Sequence, residues 1–214
     1  MQLKLTLCFV FIFSVLVACK FSNNGEGRPA FCDTACLKDS IKFIKELSKF
    51  QPFAIITANS CSSDSLKWGR IGYRRSIEMN KLKLNKDFVK VFYNDTAYVW
   101  VMFNSCETGQ GFLYKLPFRS DATMLISKRA INNLDKKFAV ADGIAAYTDR
   151  GNIFLEDMAT QKKAMMTFGK AIMEMDFEAI HETLDSVNIT PTHGWARVKI
   201  DNKWQDVEKD LVWK

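Results

Sequence analysis

Two apolar runs joined by a short polar segment decide the fold: Phe88-Val-Lys-Val-Phe-Tyr93, then Asn94-Asp-Thr96, then Ala97-Tyr-Val-Trp-Val-Met-Phe103. Both runs are rich in β-branched and aromatic residues, which favour the extended, pleated backbone of a strand. The polar segment between them is of the kind that closes a β-hairpin. The sequence therefore predicts an antiparallel hairpin, which residues 111–118 continue as a third strand after a Gly-containing turn at residues 107–109.

Further strands are predicted on both sides of this hairpin, separated by short polar and glycine-containing segments. They are residues 53–58, 68–76, 80–84, 143–148, 153–157, 162–168, 187–190, 196–200 and 204–208. Residues 143–168 also resemble one hairpin unit of the β-propeller repeats of periplasmic proteins. That unit occurs once, whereas a propeller needs at least four blades, so we expect an ordinary antiparallel meander.

Three helices are predicted beside the strands. The first covers residues 34–49, is ended by Pro52, and has its apolar residues at helical spacing. Two shorter helices are predicted at residues 127–137 and 177–184. The apolar stripe of the first helix consists of Leu37, Ile41, Ile44 and Leu47. The expected fold class is therefore α+β: a mainly antiparallel sheet with an N-terminal helix and one or two short helices.

The first eighteen residues are typical of a secretory signal. Lys4 is followed by an uncharged, apolar stretch, residues 5–17, which is shorter than the roughly 20 residues that a membrane-spanning helix needs. The segment Leu16-Val17-Ala18-Cys19 resembles the lipobox of bacterial lipoproteins: an aliphatic residue, a tolerant position, a small residue and then cysteine. The resemblance implies cleavage after Ala18 and a lipid on the thiol of Cys19.

This resemblance divides the chain into three parts: a signal peptide (1–18), a polar, Gly-rich and lipidated tether (19–30), and one domain (31–214). It also implies a location in the bacterial cell envelope, anchored by lipid. Lys20 stands where an Asp would retain an enterobacterial lipoprotein at the inner membrane, so the outer membrane is favoured. Whether the domain faces the periplasm or the cell surface stays open.

The net charge is +6, or +5 without Lys4 and the rest of the signal. Lysine and arginine are interleaved with aspartate and glutamate, and the basic groupings are pairs such as Arg74-Arg75. A nucleic-acid-binding protein usually carries a concentrated basic stripe, so no nucleic-acid partner is expected. The expected partners are the membrane, through the lipid, and another envelope protein or a glycan.

Four cysteines remain after Cys8 leaves with the signal and Cys19 is acylated: Cys32, Cys36, Cys61 and Cys106. An even number suits a compartment that permits disulfides, and four cysteines allow three pairings. Because Cys32 and Cys36 lie four residues apart at the start of the predicted helix, a bond between them would strain disulfide geometry. We expect these two to pair with the other two, and a zinc site is the alternative.

The triplet Asp, then Ser or Thr, then an aliphatic residue or alanine occurs five times, where composition would give about one. It is similar to the O-glycosylation motif of envelope proteins in the Bacteroidota, and it points to an envelope lipoprotein of that type. Helix caps and turns favour the same residues, which is the alternative explanation. The candidate acceptors are Thr34, Ser40, Ser65, Thr96 and Ser186.

No catalytic motif, metal-ligand motif or cofactor fingerprint is present in the sequence. His193 stands in a loop-like segment beside Trp195, and loops often carry functional sites. Aromatic residues on neighbouring predicted strands could bind sugars, although rings at alternating strand positions are more often core; they are Tyr93, Tyr98, Trp100 and Tyr114. The sequence favours a non-enzymatic binding or assembly role, and the alternative is an envelope hydrolase with His193 in its site.

Overall fold

Fifteen strands and a three-residue 3-10 helix, Lys86–Phe88, make up the regular structure of the described residues. The computed structural model describes residues 40–60, 63–80, 84, 86–94, 96–105, 108–168, 183–200 and 202–214. The strands form three sheets, and neighbouring strands are antiparallel except for one parallel pair, Phe138–Val140 with Leu184–Ile189.

One four-stranded sheet comes from residues 41–80, and the other combines residues 138–140 with residues 184–210. We name them sheet A, with strand order β1-β2-β3-β4, and sheet C, with strand order β15-β14-β13-β9. Sheet A comprises β1 (Ile41–Ile44), β2 (Phe53–Ala58), β3 (Ser63–Arg70) and β4 (Tyr73–Asn80). Sheet C comprises β9 (Phe138–Val140), β13 (Leu184–Ile189), β14 (His193–Ile200) and β15 (Lys203–Asp210).

Sheet B, the seven-stranded sheet, has the order β12-β11-β10-β8-β7-β6-β5 and contains the hairpin that the sequence predicts. It comprises β5 (Val89–Asn94), β6 (Tyr98–Asn104), β7 (Gly111–Pro117), β8 (Leu125–Ile131), β10 (Ile144–Asp149), β11 (Asn152–Asp157) and β12 (Lys163–Thr167). In the central hairpin, Asn94 pairs with Tyr98, and the Ala97 amide donates to the Asn94 carbonyl oxygen at 3.1 Å. The hairpin prediction is therefore confirmed.

The α+β prediction is wrong, because the described residues are nearly all β-sheet. The predicted helix at residues 34–49 is replaced, in its described part, by β1 and a turn region. Ile41 is buried, but Ile44 is half exposed and Leu47 is fully exposed, so the supposed apolar stripe does not face one core. β1 instead pairs with β2, which satisfies its backbone groups and suits its β-branched residues.

The predicted helix at residues 127–137 is also wrong. Residues 125–131 form β8, and the following residues make a turn in which the Asp135 amide donates to the Asn132 carbonyl oxygen. Ala130, Ile131 and Leu134 are all buried. Their helix-like spacing therefore arises from core positions at the end of a strand and in the turn that follows it. Residues 177–182 of the third predicted helix lie outside the described residues, and Leu184 begins β13.

Sheets A and C pack on the same face of sheet B. Along β6, Val99 and Val101 join a core cluster with buried residues of sheet A, such as Ile56 and Trp68. At the other end of sheet B, Ile153 and other residues of β10 to β12 join a second cluster with residues of sheet C. The alternation of side chains across each strand produces this division.

The opposite face of sheet B encloses a third, smaller core around Trp100, Leu113 and Ala145. Lys115 on β7 and Glu156 on β11 form an ion pair on this face, with side chains 11% and 4% exposed. Two strands, β8 and β10, separate them in the sheet order. In a flat sheet they would stand about 14 Å apart, since neighbouring strands are about 4.8 Å apart. The Asn94 side-chain amide at the end of β5 also donates to the Ala159 carbonyl oxygen just after β11, at 3.1 Å. Four strands separate β5 from β11 in the sheet order, so sheet B is strongly curled around the ion pair.

Candidate functional site

Six of the sequence-predicted site residues lie outside the described part of the chain. They are Cys19, Cys32, Cys36, Cys61, Cys106 and Thr34. The lipid anchor, the disulfide pairing and the zinc alternative therefore stay predictions.

The other four candidate glycosylation sites fall at different depths. Ser40 and Thr96 are exposed, Ser186 is half-buried, and Ser65 is buried within β3. A glycan needs a hydroxyl that solvent reaches, so Ser40 and Thr96 are the described candidates best placed to carry one. Glycosylation at each of these sites stays a prediction.

His193 begins β14 and faces two carboxylates of β15. Its Nδ1 lies 3.2 Å from Asp210 Oδ1, and its Nε2 lies 3.9 Å from Glu208 Oε2. Asp210 is almost fully exposed. Among the described residues, no serine or threonine hydroxyl contacts the imidazole; the Thr190 hydroxyl accepts from the His193 backbone amide instead. The arrangement is a surface contact between an imidazole and carboxylates, and no nucleophile from the described part of the chain hydrogen-bonds to the ring.

The aromatic residues proposed for sugar binding belong mainly to the core. Trp100 and Tyr114 are buried, and Tyr93 and Tyr98 are half-buried. Their alternation along the strands reflects packing against sheet A on one side and inside the curled sheet B on the other. The core interpretation therefore holds for Trp100, Tyr114 and Tyr93, while Tyr98 is half-buried beside Lys115.

A groove of about 700 Å³ lies on the outer face of sheet A. It combines an apolar floor with a basic rim. The described lining residues are Ile44, Gln51, Phe53, Ile55, Lys67, Arg70, Ile71, Gly72, Arg74, Arg75 and Ser76. We call this concavity the basic groove.

The side chains of β2 point alternately to the two faces of sheet A, and those on the outer face supply the floor of the basic groove. Ala54 and Ile56 are fully buried against sheet B, so Phe53 and Ile55 point to the opposite, outer face. Phe53 pairs with Gly69 of β3 and lies against it: a Cβ placed on Gly69 would come within 3.0 Å of the Phe53 ring. The missing side chain therefore makes room for the ring that forms the floor.

Two turns close one end of the groove. Gly72 has a φ of +77° in the two-residue turn between β3 and β4, a conformation that glycine adopts without steric cost. The Ile71 amide next to it donates to the Phe50 carbonyl oxygen at 2.9 Å, which ties this turn to the β1–β2 connection. The prediction of one strand over residues 68–76 is wrong at this turn, although a glycine between two extended runs is a turn signal.

The rim is positively charged, and no carboxylate stands among the described lining residues. Arg70 and Arg75 border the groove, but their guanidinium groups are already engaged: Arg70 lies 5.3 Å from the Phe50 centroid and donates to the Thr96 carbonyl oxygen at 3.3 Å, and Arg75 lies 5.6 Å from the centroid of the buried Trp68 ring. Lys67 and Arg74 are exposed and form no ion pair with a described residue. The groove can therefore receive negative charge without breaking an ion pair in the described structure.

Tyr93 of sheet B forms a hydrogen bond to β1, the strand that carries Ile44 of the groove. Its hydroxyl donates to the Phe43 carbonyl oxygen at 2.8 Å, and burial raises the pKa of Tyr93 above its ordinary value of 10.0. The unfolded chain then loses this proton at a lower pH than the folded chain does. The stabilisation is complete below about pH 10 and is lost as the pH rises toward the folded pKa.

We therefore expect the free energy of unfolding to fall above about pH 10, and to fall less steeply in Tyr93→Phe. Urea unfolding of both proteins at about pH 8 and about pH 10.5 measures this difference. Burial also raises the pKa of Tyr114 and of Tyr147, so Tyr93→Phe should reduce the slope without abolishing it. If the free energy of unfolding falls with pH equally steeply in the two proteins, the buried Tyr93 hydroxyl does not contribute to this pH dependence.

Comparison of the chain with protein-family models, with curated proteins and with solved structures returned no match. Within the described ranges, no helix is long and apolar enough to cross a bilayer. The same residues contain no group of three or more histidine, cysteine, aspartate or glutamate side chains arranged to hold a metal ion. Among the described residues, the basic groove combines a concave shape, apolar side chains and exposed cations, which suit recognition of another molecule.

Proposed function

We propose that the protein is a non-enzymatic binding lipoprotein of the bacterial envelope, anchored through Cys19, and that its basic groove binds an anionic ligand. The lipobox-like segment Leu16-Val17-Ala18-Cys19 supports the anchor. The observation that carries the binding role is the groove itself: about 700 Å³ with an apolar floor, a cationic rim and no carboxylate among the described lining residues.

A binding role is favoured over hydrolysis by the chemistry of the two candidate sites. The groove brings together cations and apolar groups, which recognise charge and shape, but its described lining offers no carboxylate or histidine to act as a general base. His193 has a carboxylate partner but no nucleophile among the described residues. The hydrolase alternative therefore gains no support from the described geometry.

Replacing Lys67 and Arg74 together by glutamine is expected to weaken binding of a soluble polyanion about 30-fold. Each exposed cation near a highly charged surface contributes about 1 kcal/mol, and 1.4 kcal/mol is a factor of ten in Kd. The probe is dextran sulfate, titrated into the full chain in a neutral detergent, with uncharged dextran as the matched polymer. Affinity for dextran sulfate should also fall as salt is added, because salt screens exposed charges.

His193→Ala is the matched control, since it alters a different sheet and leaves the groove intact. It should bind dextran sulfate as the unaltered protein does. Equal affinity for the double variant Lys67→Gln/Arg74→Gln and for His193→Ala would refute the groove as the binding site. Equal affinity of the unaltered protein for dextran and for dextran sulfate would refute the anionic ligand.

A further inference from the structure

We infer that the anionic partner of the basic groove is a lipid surface, and that the groove end of sheet A docks onto anionic head groups with its apolar tips inserted between them. This inference rests on the proposed function and names the partner of the same site.

The apolar tips are three aliphatic side chains at one end of sheet A. Leu47 is 103% exposed, Ile71 is 63% exposed and Ile44 is 49% exposed. Leu47 stands in the β1–β2 connection and Ile71 in the β3–β4 turn, and the hydrogen bond from the Ile71 amide to the Phe50 carbonyl oxygen holds these two segments together. Water-exposed aliphatic side chains of this size, grouped together, mark a surface that meets an apolar partner.

Exposed cations lie near these tips in both segments. Lys42, Lys45 and Lys49, with one acidic residue, Glu46, neighbour Ile44 and Leu47 in the chain and are exposed. On the β3–β4 side, Lys67 and Arg74 of the groove are exposed as well. Aliphatic side chains next to lysine and arginine match the boundary of a bilayer, where acyl chains lie just below a layer of phosphates.

The shape and chemistry of the tips favour a membrane over an anionic polysaccharide. Sugars stack on flat aromatic rings, whereas Leu47, Ile71 and Ile44 are branched aliphatic side chains that project from turns or a sheet edge. A soluble polymer would leave them in water. A bilayer would bury them, and each fully buried side chain of this kind gains free energy from leaving water.

The predicted anchor is compatible with this orientation. Twenty-one residues of chain lead from Cys19 to Ser40, which immediately precedes β1. Such a segment spans at most about 75 Å when fully extended. Sheet A, which begins at the end of this segment, can therefore return to the membrane that holds the lipid.

The test places a reporter on the tip. Leu47→Trp is purified in its full membrane-derived form and reconstituted into phosphatidylcholine vesicles with brominated acyl chains, with and without phosphatidylglycerol. The added tryptophan signal is the difference from the unaltered protein. The control reporter is Ile126→Trp on β8, which replaces a side chain of similar type and 44% exposure away from the groove.

With phosphatidylglycerol present, the Leu47→Trp signal should be quenched by about twofold or more. Quenching should be much weaker in phosphatidylcholine alone, and it should disappear when Lys67→Gln and Arg74→Gln are added. Ile126→Trp should show no such quenching. If Leu47→Trp is quenched no more than Ile126→Trp, the membrane inference fails.

The dextran sulfate titration separates this failure from failure of the proposed function. Groove-dependent binding of dextran sulfate without quenching of Leu47→Trp leaves the proposed function standing and assigns the groove to a soluble anion. Absence of both results overturns the two proposals together.

Discussion

Glu156→Gln is expected to lower the free energy of unfolding by about 3 to 5 kcal/mol, the usual cost of removing one partner from a buried ion pair. The substitution leaves the Lys115 ammonium inside the curled sheet B without its counter-charge. That ammonium lies 4.2 Å from the Tyr98 ring centroid and 4.9 Å from the Trp100 ring centroid, so rings occupy the space where water would otherwise solvate it. Urea unfolding followed by tryptophan fluorescence measures the loss.

Two matched variants distinguish a buried charge from an ordinary ion pair. Lys115→Met combined with Glu156→Leu removes both charges and keeps the volume, and it should recover most of the stability that Glu156→Gln loses. Arg119 and Asp121 form an ion pair in which both side chains are about two-thirds exposed. Asp121→Asn should leave the unfolding midpoint unchanged, because water already solvates both groups. A midpoint for Glu156→Gln equal to that of Asp121→Asn would contradict the argument.

The ion pair also shows where sequence reasoning ends. The composition and alternation of residues 88–118 predict three strands, since adjacent antiparallel strands are encoded locally. Nothing in the local pattern indicates that Lys115 meets Glu156, because they lie 41 positions apart in the sequence and two strands stand between them in the sheet. The curl of sheet B is a tertiary property, and it determines which charged residues are buried.

The prediction of a helix at residues 34–49 is wrong for a related reason. Ile41 and Ile44 are three residues apart, a spacing that fits one face of a helix. A partner strand decides between helix and sheet, and β2 is available to β1 through a short connection. The exposed Leu47 then belongs to a turn, which no periodicity within the segment reveals.

The basic groove was partly readable from the sequence. The segment Arg70-Ile-Gly-Tyr-Arg-Arg75 contains three of its four cations around a glycine, and a glycine between extended runs is a turn signal. In one continuous strand, Arg70 and Arg74 would lie on one face with no turn between them. The contribution of β2 to the floor depends on the register in which β2 pairs with its neighbouring strands, and only the structure gives that register.

Gly69→Ala is expected to cost about 3 kcal/mol and to weaken dextran sulfate binding. A Cβ at this position would lie 2.2 Å from the Tyr73 carbonyl oxygen and 2.9 Å from the Phe53 ring. The oxygen belongs to the neighbouring strand and cannot move without disturbing the β3–β4 pairing, so the cost falls at the upper end of the usual 1 to 3 kcal/mol for overpacking. The ring must also shift, which changes the groove floor. Urea unfolding and the titration measure the two effects.

Gly72→Ala in the same hairpin is the matched comparison, because a Cβ there meets no atom within 4 Å and the strain arises from the φ of +77° alone. A left-handed conformation costs a residue with a side chain about 1 to 2 kcal/mol, and the floor stays intact. Gly69→Ala should therefore be the less stable variant, and the one of the two that loses affinity. The contrary result would be a Gly72→Ala variant that is as unstable as Gly69→Ala and binds dextran sulfate as weakly. In that case the hairpin as a whole, and not the Phe53–Gly69 contact, shapes the groove.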